Sequence, residues 1–160
     1  MSFKVIQTKY KNHLFRSRQE ARWATCFDAL GIPWRYEYEG FQLNGYRYLP
    51  DFLLPAQALW VEVKGKPPTE QEFAKATLLA QHDRNNAVLI TWENFSRDTC
   101  EDNVIMWTDE NGVFHSKRGW RWLENPEEGW AAARVARFEK PRRGLPWLEW
   151  GKPQYGKLPY

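Results

Sequence analysis

Residues 87–91 read AVLIT, a short and nearly all-apolar run. A strand with one solvated face alternates polar and apolar residues; a run without alternation belongs in the interior of a sheet. The segments before it supply the rest of a core. SRQEARWATCFDALG is predicted as a helix, with Ala21, Ala24, Phe27, Ala29 and Leu30 at approximately helical spacing, Ser17 and Glu20 in the pattern of a capping box, and Gly31 then Pro33 as the stop. WRYEYEGFQL reads as a strand with Trp34, Tyr36 and Tyr38 on one face, followed by Asn44-Gly45 as a turn. YRYLPDFLL is the returning strand, where Pro50 marks an edge, a bulge or a strand end. LWVEV is a third strand, closed by GKPP. TEQEFAKATLLAQH opens with a second capping box, Thr69 with Glu72, and places Phe73, Ala76, Leu79 and Ala80 on one stripe. The order is helix, three strands, helix, strand, which is a mixed α/β core.

A chain of 160 residues suits one domain with a tail. The expected domain covers 1–140. VIMWT and GVFHS, either side of DEN, read as a hairpin, and a helix starts at Asn125-Pro126-Glu127-Glu128 and runs to about Phe138. Residues 141–160 hold four prolines and three glycines, which interrupts any regular element and predicts an extended Trp/Pro-rich tail. Cys26 and Cys100 stand far apart and there are three histidines, so neither a disulfide framework nor a Cys/His zinc site is indicated. No run is long and apolar enough to span a bilayer, and the opening residues lack a signal peptide's apolar centre. A cytoplasmic protein with no membrane partner is expected.

Three charged residues stand out against this apolar background. Asp51 follows Pro50 at the start of an apolar strand segment, and Glu62 and Lys64 lie in LWVEVKG. Residues i and i+2 on a strand share a face, so Glu62 and Lys64 point the same way, and pairing with the preceding strand can bring Asp51 beside them. Two converging carboxylates repel unless a cation sits between them, and oxygen ligands select Mg²⁺ or Mn²⁺. A lysine beside a metal-bound water can orient or deprotonate it, the latter only if its pKa is lowered. Such a group of residues suits hydrolysis of a phosphodiester.

The pattern Pro50-Asp51, ten residues, then Glu62-Val63-Lys64 resembles the PD-(D/E)XK nuclease superfamily, which includes restriction endonucleases, transposon-end nucleases and junction resolvases. The resemblance covers residues 14–92 and implies a restriction-endonuclease-like αβββαβ core, its mixed sheet flanked by helices. It further implies a Mg²⁺- or Mn²⁺-dependent DNA endonuclease in which Asp51 and Glu62 hold the ion, the Val63 carbonyl joins the shell and Lys64 assists the water. Glu20, in FRSRQEARW, matches a helix glutamate that some branches add to the metal site; as the third residue after Ser17 it equally fits a helix cap. The implied partner is DNA, double-stranded or branched, met by a homodimer or by a subunit of a larger nucleoprotein complex. The alternative is a catalytically silent module of the same fold that binds DNA or protein.

Charge is distributed unevenly. Residues 1–35 carry +5, residues 36–116 carry −7 and residues 117–160 carry +5. Basic flanks around an acidic centre suit a polyanion gripped at the ends and a cation held in the middle. Arg16, Arg18, Lys66, Lys75, Arg118, Arg121, Arg142 and Arg143 are the candidate phosphate contacts. Five of the ten tryptophans, 120, 122, 130, 147 and 150, are interleaved with the C-terminal arginines. They read either as a nucleic-acid clamp, with aromatics stacking on bases, or as packing across the domain.

Overall fold

A computed structural model describes residues 6–138. Two short strands, β1 (Thr8–Tyr10) and β2 (His13–Phe15), form an N-terminal hairpin. Helix α1 (Arg18–Ala29) follows, capped by the Ser17 hydroxyl, which accepts from the Glu20 amide at 3.1 Å. Then come β3 (Arg35–Tyr36), β4 (Phe41–Leu43), β5 (Tyr46–Tyr48), β6 (Phe52–Leu54), β7 (Leu59–Val63), α2 (Glu70–His82), β8 (Ala87–Thr91), β9 (Asn103–Thr108), β10 (Phe114–Arg118) and α3 (Glu127–Val135).

The main sheet has six strands in the order β10-β9-β8-β7-β6-β3 among the described residues. Within it β7 and β8 are parallel, joined through α2; the other neighbours are antiparallel. The fold is therefore mixed α/β. Alternation along the central strands divides the core into two layers. Leu59, Val61 and Val63 pack with α1 residues such as Trp23 and Phe27 and with Trp130 of α3, whereas Trp60 packs with Val88, Ile90 and the α2 residues Ala76, Leu79 and Ala80. AVLIT occupies β8 between two paired strands and is buried from Val88 to Thr91, as its composition predicts. The layer between α1 and α3 is close: a Cβ added at Gly129 would sit 2.7 Å from Cys26 Sγ and from Leu30 Cγ.

Three expectations are corrected. WRYEYEGFQL is not one strand. Glu37 has φ of 46°, which ends β3 after Tyr36 and turns the glutamate inward against Arg16, while Phe41–Leu43 pairs with Tyr46–Tyr48 as a separate hairpin around Asn44-Gly45. Tyr38 is consequently exposed and shares no face with Tyr36. YRYLPDFLL is likewise divided, into β5 and β6 with Pro50 between them, because proline lacks the amide a continuous ladder needs. The last helix ends at Val135 and not at Phe138; Ala136 has ψ of 136°, outside the helical region. The predicted tail, 141–160, lies outside the described residues. Among the described residues no helix is long and apolar enough to cross a membrane.

Candidate active site

The register of β6 against β7 positions the acidic pair. Phe52 lies opposite Val61 in this antiparallel ladder, so one residue further Asp51 stands opposite Glu62. Both side chains are buried. The Asp51 backbone is pinned from the other side, its carbonyl accepting from the Glu37 amide at 2.8 Å, and its Oδ2 accepts from the Val63 amide at 2.8 Å. Lys64 leaves the end of β7 where its own amide donates to the Thr91 carbonyl of β8 at 2.8 Å. Its ammonium lies 3.4 Å from Glu62 Oε1 and forms a second ion pair with Glu72 of α2.

This is an electrostatically unfavourable arrangement. Burial, then the charges of Glu62 and Glu20, push the Asp51 carboxyl well above its ordinary range. Burial pushes Glu62 up to about 7, against the opposing pull of Lys64 and Tyr48. Glu62 Oε2 and the Tyr48 hydroxyl are buried without a hydrogen-bond partner among the described residues, although the two side chains are close enough to interact. Neither group makes a hydrogen bond of good geometry, which leaves a buried carboxylate oxygen poorly satisfied at a cost in free energy. Lys64 shows the reverse balance. Burial alone would lower its pKa, but Glu62, Glu72 and Asp51 outweigh that and hold the ammonium above its ordinary value. Lys64 is thus a fixed cation and donor, and deprotonating a water is not open to it in this state.

Glu20 approaches from α1. Its Oε1 accepts from the Tyr36 hydroxyl at 2.8 Å and its Oε2 from the Ser17 hydroxyl at 2.6 Å. The Ser17 amide is not among its donors, so only half of the expected capping box forms. The glutamate instead closes a buried network in which Tyr36 also accepts from the Arg16 amide at 3.0 Å.

The cluster opens into a cleft of about 220 Å³ lined by Arg16, Arg47, Tyr48, Leu49, Glu62, Lys64, Glu72 and Lys75. Of the predicted phosphate contacts, Arg16 and Lys75 line this cleft. Arg16 is held by buried Glu37 at 2.5 Å. Arg18 and Lys66 are exposed on the α1 start and the loop after β7. Arg118, the last residue of β10, is 3.8 Å from Asp102 and lies over Trp92, 5.5 Å from the ring centroid, and Arg121 follows it, exposed. Arg142 and Arg143, with Trp147 and Trp150, fall outside the described residues. Trp122 and Trp130 are packing residues and no free clamp: Trp122 lies against Trp23 and Phe27, and Trp130 is buried in the α1 layer. Of the three described members of this group, Trp120 alone is exposed.

Sequence reasoning missed Arg47, Tyr36, Tyr48 and Glu72. Glu72 was legible as a cap, and it is one, accepting from the Thr69 amide at 2.9 Å, yet the same carboxylate holds Lys64. The tyrosines gave no signal, since their hydroxyls meet the acids only through tertiary packing.

The donor set suits a hard divalent cation. It consists of carboxylate oxygens, one buried and unpartnered, with no sulfur or imidazole among the described residues beside them. Among the described residues no three His, Cys, Asp or Glu side chains form a ready-made cage. Comparison with family models, curated proteins and solved structures finds no match to the chain.

Proposed function

We propose that the chain is a metal-dependent endonuclease of the PD-(D/E)XK type that hydrolyses phosphodiester bonds in DNA. The observation that carries the reading is the burial of Asp51 and Glu62 opposite one another, with an unpartnered Glu62 oxygen, where Glu62 and a charged lysine line a cleft with basic walls. The element order α1, β3, β6, β7, α2, β8, with the β4–β5 hairpin set between β3 and β6, follows the αβββαβ order of that superfamily and supports the same reading.

In this reading Asp51 and Glu62 hold Mg²⁺ or Mn²⁺, with the Val63 carbonyl as a further donor. When bound, the ion supplies Lewis-acid polarisation of the phosphate and acidifies water. The protein's own groups do the rest. Arg16, Arg47 and Lys75 bind the phosphate backbone along the cleft. Lys64, kept protonated by its acidic neighbours, donates to the attacking water or to the scissile phosphate and offsets the charge that develops there. Glu72 fixes the lysine's direction from α2. Glu20, held by the Tyr36 hydroxyl, adds its negative charge beside the acidic pair.

The test is incubation of the protein with linear, supercoiled and branched DNA, with Mg²⁺, with Mn²⁺ and with chelator, beside Glu62→Gln as control. Divalent-dependent cleavage by the wild type, lost in the variant, is the expected result. Binding to DNA without cleavage under any of these conditions would replace the reading with that of a silent DNA-binding module.

A further inference from the structure

Strand register ties the acidic pair to a distant arginine. Glu62 of β7 pairs with Ile90 of β8, Ile90 with Val104 of β9, and Val104 with Arg118 of β10. Residues paired directly across a ladder project to the same face of a sheet. The row two residues back along β7 shows which face this is: Trp60, Val88 and Met106 pack together with the α2 residues Ala76, Leu79 and Ala80. Arg118 therefore stands on the α2 face with Glu62 and Lys64, three strands away, or roughly 14 Å at about 4.8 Å per strand. Lys117, one residue earlier, pairs with Ile105 in the row of Leu89 and takes the other face.

The surface between the two is open to a ligand. α2 covers the opposite end of β9, where its Thr77 hydroxyl reaches Met106 Sδ at 3.7 Å and its Ala80 carbonyl accepts from the Thr108 hydroxyl at 2.9 Å. At the other end Val104 and Trp92 are half-buried and Arg118 is exposed. The Lys64 amide donates to the Thr91 carbonyl, which sets Trp92, the next residue, beside Lys64. Arg118 lies over that indole, 5.5 Å from the ring centroid. Its acidic neighbour, Asp102, is 3.8 Å away, beyond hydrogen-bond distance, so it offsets part of the charge without engaging the guanidinium donors. A guanidinium directed by an aromatic face, its donors unspent, suits a phosphate oxygen.

We infer that Arg118 is a second phosphate anchor for duplex DNA, holding the backbone about four base pairs from the phosphate at Glu62 and Lys64, since one strand of B-DNA presents a phosphate about every 3.4 Å along the axis. The inference rests on the nuclease reading above. To the cleft contacts Arg16, Arg47 and Lys75 it adds the direction in which the duplex leaves, across the ends of β8, β9 and β10. A duplex fits this face better than a single strand. Single-strand sites offer open aromatic rings to unpaired bases, whereas here the Trp92 ring carries Arg118, and the exposed Trp120 neighbours Lys117 of the opposite face.

The experiment measures binding of the full chain, in chelator, to blunt duplexes of increasing length, by anisotropy between about 50 and 200 mM salt. Arg118→Ala is expected to lower the slope of log K against log salt by about 0.9, the share of one duplex phosphate, while Arg118→Lys, which keeps the charge, and Lys117→Ala, on the other face, leave it unchanged. Wild-type affinity should go on rising for about four base pairs beyond the length at which Arg118→Ala levels off. Thermal melts of Arg118→Ala should match the wild type, because the side chain is exposed. An unchanged slope in Arg118→Ala, an equal loss in Lys117→Ala, or length curves that level off together would overturn the anchor. An Arg118→Ala effect of the same size on single-stranded oligonucleotides would overturn the duplex as its ligand. Divalent-dependent cleavage with an unaltered Arg118→Ala slope sinks only this inference; Arg118-dependent duplex binding without cleavage sinks the nuclease reading and leaves the anchor standing.

Discussion

Replacing Glu62 with glutamine separates a structural ion pair from a functional one, because the two predict opposite signs for stability. If Glu62 and Lys64 were simply a stabilising pair, loss of the negative charge would destabilise the fold. The structure indicates the reverse. The folded carboxyl titrates near 7 against an ordinary 4.5, and that value already includes the attraction of Lys64. At about 1.36 kcal/mol for each factor of ten in proton affinity, the ionised carboxylate costs the metal-free fold up to about 3 kcal/mol. The sign follows from linkage: the native state binds the proton more tightly, so stability is fully present below pH 4.5 and is lost as pH rises through about 7. The glutamine of Glu62→Gln imitates the protonated acid at every pH. In chelator, wild type and variant should melt together near pH 4.5 and diverge above it, the variant being about 3 kcal/mol more stable at pH 8, or roughly 6–12 °C for a chain of this size. Added Mg²⁺ should stabilise the wild type at pH 8 and leave the variant's melting unchanged, while cleavage is lost. Differential scanning calorimetry across pH decides it. A variant less stable than wild type at pH 8, or a difference independent of pH, refutes the reasoning.

Lys64→Ala should abolish cleavage, by about 100-fold or more, and lower the melting temperature at pH 8, since Glu62 and Glu72 lose the cation that offsets their charge; single-turnover kinetics beside thermal melts check it. Glu72→Gln keeps an oxygen for the Thr69 amide but loses the charge that holds Lys64, so stability should stay within about 1 kcal/mol while the cleavage rate falls about ten-fold or more. Gly129→Ala forces a methyl into the α1–α3 contact, where overpacking of about 1–3 kcal/mol exceeds the helix-propensity gain of at most ~1 kcal/mol, and urea unfolding should show a net loss.

Much of this molecule is written in local pattern. LWVEV and AVLIT coincide with β7 and β8, and both main helices start at the residues their caps dictate, because each of these signals acts within a few positions. The spacing of Asp51 and Glu62 was readable for the same reason: a tight connection between two strands fixes register. What escaped depends on distant partners. Glu37 leaves the extended region because Arg16, twenty-one residues earlier in the chain, offers it an ion pair, and no periodicity in YEYEG carries that information. Glu93 sits in a polar-looking stretch, yet Asn103 and Trp122 draw it into the interior. The C-terminal tryptophans carried two meanings in sequence, and packing against α1 decided for Trp122 and Trp130.

Glu20 and Glu72 make the same point from one motif with two outcomes. Each stands three residues after a hydroxyl residue at a helix start, and each was expected to return a hydrogen bond to its cap amide. Glu72 does so in partial solvent and has its other oxygen free for Lys64. Glu20 does not: buried, it gives both oxygens to the hydroxyls of Ser17 and Tyr36 and adds its charge to the field that disfavours ionised Asp51. Its contribution to helix capping is therefore dispensable, while its charge is directed at the acidic pair. Glu20→Gln can keep one hydroxyl as a donor to its oxygen and removes a neighbour that repels Asp51, so the metal-free fold should lose no more than about 1 kcal/mol. If that charge helps hold or orient the ion, Mg²⁺ affinity measured by calorimetry should drop and cleavage should fall about 100-fold or more, with partial recovery at high Mn²⁺. A variant that melts several kilocalories lower yet cuts normally in its folded fraction would return Glu20 to a purely structural role and leave Asp51, Glu62 and Lys64 as the whole catalytic set.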